Sequence, residues 1–386
     1  MKQNYLVSFF VKYSFRLIVL LGLVAIGVSC EKDDKPESVK KPGVTPLCEP
    51  VPGSGTPYEL AVPFFFPEPI IPDYNPLTEE GIALGRRLFW DVNLSRNNTV
   101  SCGSCHAPEY AFADNVDASV GLYGDLTPRN SMAIINLAWN NSFFWDGRDN
   151  TLEEQILDPI HNPIEMDMDW MTATNRIAQD EQYNGMFEAA FGSDCVDSVR
   201  ATYAIAQFMR TMVSANSKFD RANYLGGDLL TASEIRGLEL FLAEGGDPDV
   251  YPGGQNGGDC FHCHGGALVQ FTDHQFHNNG LDSLFQDIGR EGVTGQAFDR
   301  GLFKTPTLRN IALTAPYMHD GRFATLRDVV EHYNSGGHLS ATLDPLMKFP
   351  NEGLGLSEQD IDDLVNFLET LTDEEFVENT DFQAPE

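Results

Sequence analysis

Basic side chains are scarce in this sequence. Of its 386 residues, 25 are Lys or Arg against 57 Asp or Glu, a formal net charge of −32. That excess repels phosphate and excludes nucleic acid as a partner, whereas a basic protein or a small neutral substrate fits it; acidity also serves solubility. Strand-like alternation of apolar and polar residues is scarce as well, so helices and loops must build the core. The 42% hydrophobic and 11% aromatic content is enough to fill a core in each of two ordinary domains.

The first 29 residues carry Lys2, Lys12 and Arg16 ahead of the apolar run "LIVLLGLVAIGV", and read as an export signal (1–29) rather than a domain. The run stops at Cys30, followed by polar "EKDDKPE", as in a bacterial lipoprotein signal whose cysteine becomes the lipidated first residue of the mature chain. Gly27 stands where a larger aliphatic residue is usual, so an uncleaved anchor is the alternative; either exports the protein to the periplasm or cell surface. Residues 30–57, rich in Pro, Lys, Asp and Glu, read as a flexible tether.

Four of the seven cysteines fall in two pairs, "SCGSCH" and "DCFHCH", each followed at once by a histidine. A zinc site would spend both pairs on one metal, and a redox dithiol needs no adjacent histidine. C-x-x-C-H twice is the attachment signature of two covalently bound c-type haems: two thiols bond the vinyl groups on one porphyrin edge, and the next residue turns its imidazole onto the iron. Cys102, Cys105 and His106 hold the first haem in this reading, and Cys260, Cys263 and His264 the second. His262, inside the second motif, is expected at the surface, facing away from the iron. Cys48 and Cys195 are left over and can form a disulfide in an exported chain.

Each motif follows a similar helical segment, "LTEEGIALGRRLFWD" (77–91) and "LTASEIRGLELFLAEGG" (230–246), sharing G-x-x-L-F at Gly85 and Gly237. Each half closes with an amphipathic helix, 199–216 and 356–372; the second sets Ile361, Leu364, Val365, Leu368 and Leu371 on one face. The fold class is therefore mainly α: two tandem cytochrome c-like domains, 58–222 and 223–386, with the boundary near "SKFDRANYLGGD". The acidic end "TDEEFVENTDFQAPE" is expected to be a solvated tail.

A haem that only carries electrons fills both axial positions; a catalytic one needs an open position and an acid/base group. In "FFWDGRDNTLEEQILDPIHNPIEM" (143–166), Thr151 and Glu154 form a capping box that opens a helix, and Pro159 is expected to end it. Gln155 then lies on the helix and Glu165 in the loop beyond, among Pro163, Ile164 and Met166, a setting apolar enough to raise a carboxyl pKa.

In "VSCGSCH", "FFWDGR", "TLEEQILDPIHNPIEM", "CFHCH" and "KTPTLRNIALTAPYMHDGRFATLRDVVEHY", from about residue 60 to 375, the chain resembles the bacterial di-haem cytochrome c peroxidase and MauG family. The resemblance implies that hydrogen peroxide reacts at the N-terminal haem and that a donor such as a small cytochrome c delivers electrons at the C-terminal one. It makes Glu165 the catalytic acid/base, Gln155 its companion and Trp145 an electron relay between haems. Asn130, Thr314 and Pro316 match a structural calcium site, whose oxygen donors suit that hard cation. Members are often homodimers.

Two departures stand out. Many such peroxidases hold a removable histidine over the reactive haem, but residues 107–160 contain none, and Leu122 lies near its place. The methionine that ligates the electron-transfer haem falls on Tyr333, a MauG-like choice that stabilises oxidised iron; Met318 is the competing ligand. MauG-like oxidation of a protein substrate and plain electron transfer stay open beside the peroxidase reading.

Overall fold

The computed structural model describes Cys48, residues 54–247, Asp249 and residues 253–385. These belong to one compact unit, residues 44–386. The export signal, Cys30 and almost all of the tether lie outside the described residues. Among the described residues, no helix is long and apolar enough to cross a membrane.

Short polar side chains set where the helices start. Thr78, Thr151, Asp169, Asp197, Thr231, Thr325, Ser357 and Asp373 each accept a backbone N–H from the first turn beyond them. The helices are α1 (Glu79–Phe89), α2 (Leu152–His161), α3 (Trp170–Gln179), α4 (Met186–Phe191), α5 (Ser198–Arg210), α6 (Lys218–Asp220), α7 (Ala232–Leu242), α8 (Phe261–His264), α9 (Glu291–Thr294), α10 (Leu326–Asn334), α11 (Glu358–Glu369) and α12 (Glu374–Glu378). The sheet structure is a two-residue antiparallel pair, β1 (Phe276–His277) and β2 (Phe303–Lys304), with Phe276 opposite Lys304. The mainly helical class read from the sequence is the one observed.

The repeated glycines explain how each half is assembled. A Cβ on Gly85 would stand 1.9 Å from the Ala204 carbonyl oxygen, and one on Gly237 the same distance from that of Asp363. In both halves, then, the helix before the haem motif crosses the closing helix backbone to backbone, α1 on α5 and α7 on α11. One hydrophobic core gathers Leu84, Leu88, Phe89, Ile205 and Phe208; the other gathers Phe219, Phe241, Ile361, Leu364 and Phe367. Met212 lies in the first core and Phe219 in the second. Arg309, fully buried, pairs with both carboxylate oxygens of Asp220 at 2.8 and 2.9 Å.

The acidic end is not a solvated tail. Phe376 and Phe382 are buried in the first core, with rings edge-on to Phe112 at 5.6 and 6.3 Å. Asp373 accepts hydrogen bonds from Ser214 Oγ and the Ala215 and Asn216 N–H groups, and Arg86 and Trp90 donate to the carbonyls of Thr380, Gln383 and Phe382. Two aromatic residues among the carboxylates outweigh the charge pattern, and the end of the second half straps the first. Cys48 and Cys195 form a disulfide.

Pro159 does not end α2 either. The helix runs on to His161 because the neighbouring loop takes up its last carbonyls: Asn162 N–H bonds Asp158, Met166 N–H bonds Pro159 and Met168 N–H bonds Ile160. The capping box forms by half. Thr151 accepts from Glu154 N–H, while the Glu154 carboxylate takes the N–H of Asn150 instead of that of Thr151.

Candidate haem sites

Two cavities carry the two motifs. Cys102, Cys105 and His106 line one of about 980 Å³; Cys260, Cys263 and His264 line a narrower one of about 280 Å³. In the first, His106 Nδ1–H donates to the Phe112 carbonyl at 2.8 Å; in the second, His264 Nδ1–H donates to that of Phe271 at 3.0 Å. A carbonyl accepts only, so each bond fixes the tautomer and leaves Nε2 with a lone pair for a metal. Burial lowers both imidazole pKa values, which keeps them neutral as ligands must be. Burial also pushes the Cys102 thiol up to about 12 and Cys105 up to about 11, the reverse of what a reactive dithiol needs. Paired thiols, an oriented imidazole and a cavity beside them fit a covalently attached haem at each motif.

The two carbonyl acceptors were not evident in the sequence. Phe112 and Phe271 are fully buried and hold left-handed backbones, φ 59° and 51°, which cost a bulky residue about 1–2 kcal/mol. They lie six and seven residues beyond their histidines, so no fixed spacing reveals the pair. A second hidden repeat is the turn around "DGR": Phe143 bridges Asp149, and Tyr317 bridges Phe323, which makes Trp145 and His319 positional equivalents.

Gln155, Glu165 and Trp145 all line the first cavity. Glu165 is half-buried, and Asn162 Nδ2 donates to its Oε1 at 2.6 Å. Burial raises its carboxyl pKa, with Asn162 and the charge of Arg148 opposing. Leu122 is buried, and its N–H donates to the Ile164 and Glu165 carbonyls at 2.9 and 3.2 Å. Leu122 thus pins the loop that presents Glu165. His161 is exposed and outside the cavity lining, whereas His319 lines both cavities. Trp145 also lines both, and its Nε1–H is held by the Asn130 carbonyl at 2.9 Å.

In the second cavity, Tyr333 and Met318 come together although 15 residues separate them in sequence. Asn279 Nδ2 lies 3.3 Å from the Tyr333 hydroxyl and 3.4 Å from Met318 Sδ, and burial pushes the phenol up to about 12. Asn130, Thr314 and Pro316 line this cavity too. His262 lies away from the cavity lining, beside Glu244, Asp259 and Lys348.

A family model described as di-haem cytochrome c peroxidase matches residues 79–228. Over 306 residues the chain is 37% identical to the methylamine utilization protein MauG of Methylorubrum extorquens, spanning 78% of this chain and 80% of that one. Over 326 residues it is 35% identical to the cytochrome c551 peroxidase of Nitrosomonas europaea, spanning 82% and 87%. The crystal structure of a MauG-like protein associated with microbial copper homeostasis matches with a TM-score of 0.76 at 35% identity, over 85% of this chain and 99% of that one. The paired sites and these relatives agree: the chain belongs to the di-haem cytochrome c peroxidase and MauG family, an oxidoreductase family that carries two c-type haems.

Proposed function

We propose that the protein is a di-haem peroxidase that reduces hydrogen peroxide to two waters, using two protons and two electrons from a donor such as a small cytochrome c. The haem held by Cys102, Cys105 and His106 would supply the iron at which the O–O bond breaks, and that held by Cys260, Cys263 and His264 the entry point for electrons. The observation that carries the reading is the half-buried Glu165 on the wall of the first cavity. Asn162 engages Oε1, so Oε2 is the oxygen left to take a proton from one peroxide oxygen and return it to the other. Gln155 lines the same wall and orients peroxide by hydrogen bonding; Trp145, on the wall of both cavities, is the relay between them. Tyr333, whose hydroxyl is held by Asn279, would be a ligand for the iron of the second haem. Asn130, Thr314 and Pro316 offer amide and carbonyl oxygens suited to calcium.

Outside the described residues, the lipoprotein-like signal supports anchoring through Cys30 to a bacterial membrane, on the periplasmic or outer face. A homodimer is the assembly expected from the resemblance. A MauG-like oxidation of a protein substrate is the second reading, favoured by Tyr333 and by the likeness to MauG. Steady-state peroxide consumption with a reduced small cytochrome c tests the proposal: two equivalents oxidised per peroxide support it, and peroxide reactivity without donor turnover favours the second reading.

A further inference from the structure

Lys304, at the end of β2, is only 4% exposed and lines both cavities. Its N–H donates to the Trp145 carbonyl at 2.8 Å, which fixes it beside the tryptophan shared by the two sites. Among the described residues, its ammonium makes no ion pair or hydrogen bond. The nearest acidic influence is Asp273, whose carboxylate is engaged by His277 Nε2 at 2.8 Å and by the Gln275 N–H at 2.9 Å. Two further polar groups on the wall of the second cavity are buried without partners, Gln270 Nε2 and His274 Nδ1. Such groups are costly unless an acceptor is supplied from outside the chain. Desolvation lowers the Lys304 pKa to about 8 and that of His274 to about 4, the expected effect of burial without an anion.

A haem carries two carboxylates on the edge opposite its thioether bonds, and they would satisfy these groups. We propose that Lys304 binds a propionate carboxylate of the haem held by Cys260, Cys263 and His264, with His274 Nδ1 and Gln270 Nε2 as neighbouring polar contacts, and that its charge acts on both haems. The inference rests on the two-haem reading and is independent of whether peroxide is the substrate. A buried cation favours reduced iron, which carries one positive charge fewer, so Lys304 raises the potentials.

Redox titration of the haem-loaded protein tests it. Lys304→Met should shift the reduction equilibrium of the second haem about tenfold toward the oxidised form, about 59 mV for one electron, and that of the first haem in the same direction. Lys304→Arg, which keeps the charge, should restore most of the shift. Unchanged potentials in a Lys304→Met protein with two haems per chain overturn the proposal. A crystal structure of the loaded wild-type protein decides independently of how that variant folds: Lys304 Nζ within hydrogen-bonding distance of a haem carboxylate supports the assignment, and separation from every haem carboxylate overturns it.

Discussion

Replacing Glu165 with glutamine separates its proton chemistry from its role in the fold. Glutamine has nearly the same shape and keeps an oxygen to accept the 2.6 Å bond from Asn162, so the loop pinned by Leu122 should hold. What is lost is the proposed proton shuttle, worth about two to four orders of magnitude in rate, or about 3 to 5 kcal/mol of barrier. Stability should move the other way. Because burial raises the folded pKa of Glu165 above its unfolded value, the stability tied to its protonated form is complete below the unfolded pKa. That stability is lost as pH rises through the folded pKa. Glutamine removes the loss, so the variant should melt at or above the wild-type temperature at pH 7, and the two should converge as pH falls through the ordinary carboxyl range. The assays are steady-state peroxide reduction and thermal denaturation of the loaded protein. Turnover within tenfold of wild type, or a variant clearly less stable at pH 7, would refute the reasoning.

Three further outcomes follow from the packing and the second site. Phe376→Ala should cost about 3 to 5 kcal/mol in urea denaturation, because it empties a buried contact with Phe112; a loss below 1 kcal/mol would mean the C-terminal strap is not part of the core. Arg309→Met should cost about 3 to 5 kcal/mol by leaving the Asp220 carboxylate buried and unpaired, measured in the same way. Tyr333→Phe should change the ferric spectrum of the second haem while Met318→Leu leaves it in place; the opposite pattern would make Met318 the ligand.

How much the sequence revealed depended on the range of the interaction. The haem motifs are local, since two thiols and an imidazole must fall within five residues, and they were legible outright. Gly85 and Gly237 were legible as a repeat because both crossings demand a missing side chain, although the partner carbonyls of Ala204 and Asp363 lie far along the chain. Phe112 and Phe271 escaped notice because their role is played by backbone carbonyls, and any residue has one. Lys304 looked like one charge among many until the fold buried it between the sites. The proline in α2 and the acidic tail misled for one reason: local propensity argued for a stop and for solvation, and tertiary contacts from Met166, Met168 and Phe112 overrode both.

In the proposed division of labour the first site meets peroxide while the second passes electrons. Stopped-flow mixing of the purified ferric protein with hydrogen peroxide, with and without a reduced small cytochrome c, tests it most directly. A rapid spectral change is expected without donor, and return to the ferric spectrum with two donor equivalents oxidised per peroxide. Two low-spin haems that leave peroxide untouched would contradict it and leave an electron-transfer cytochrome.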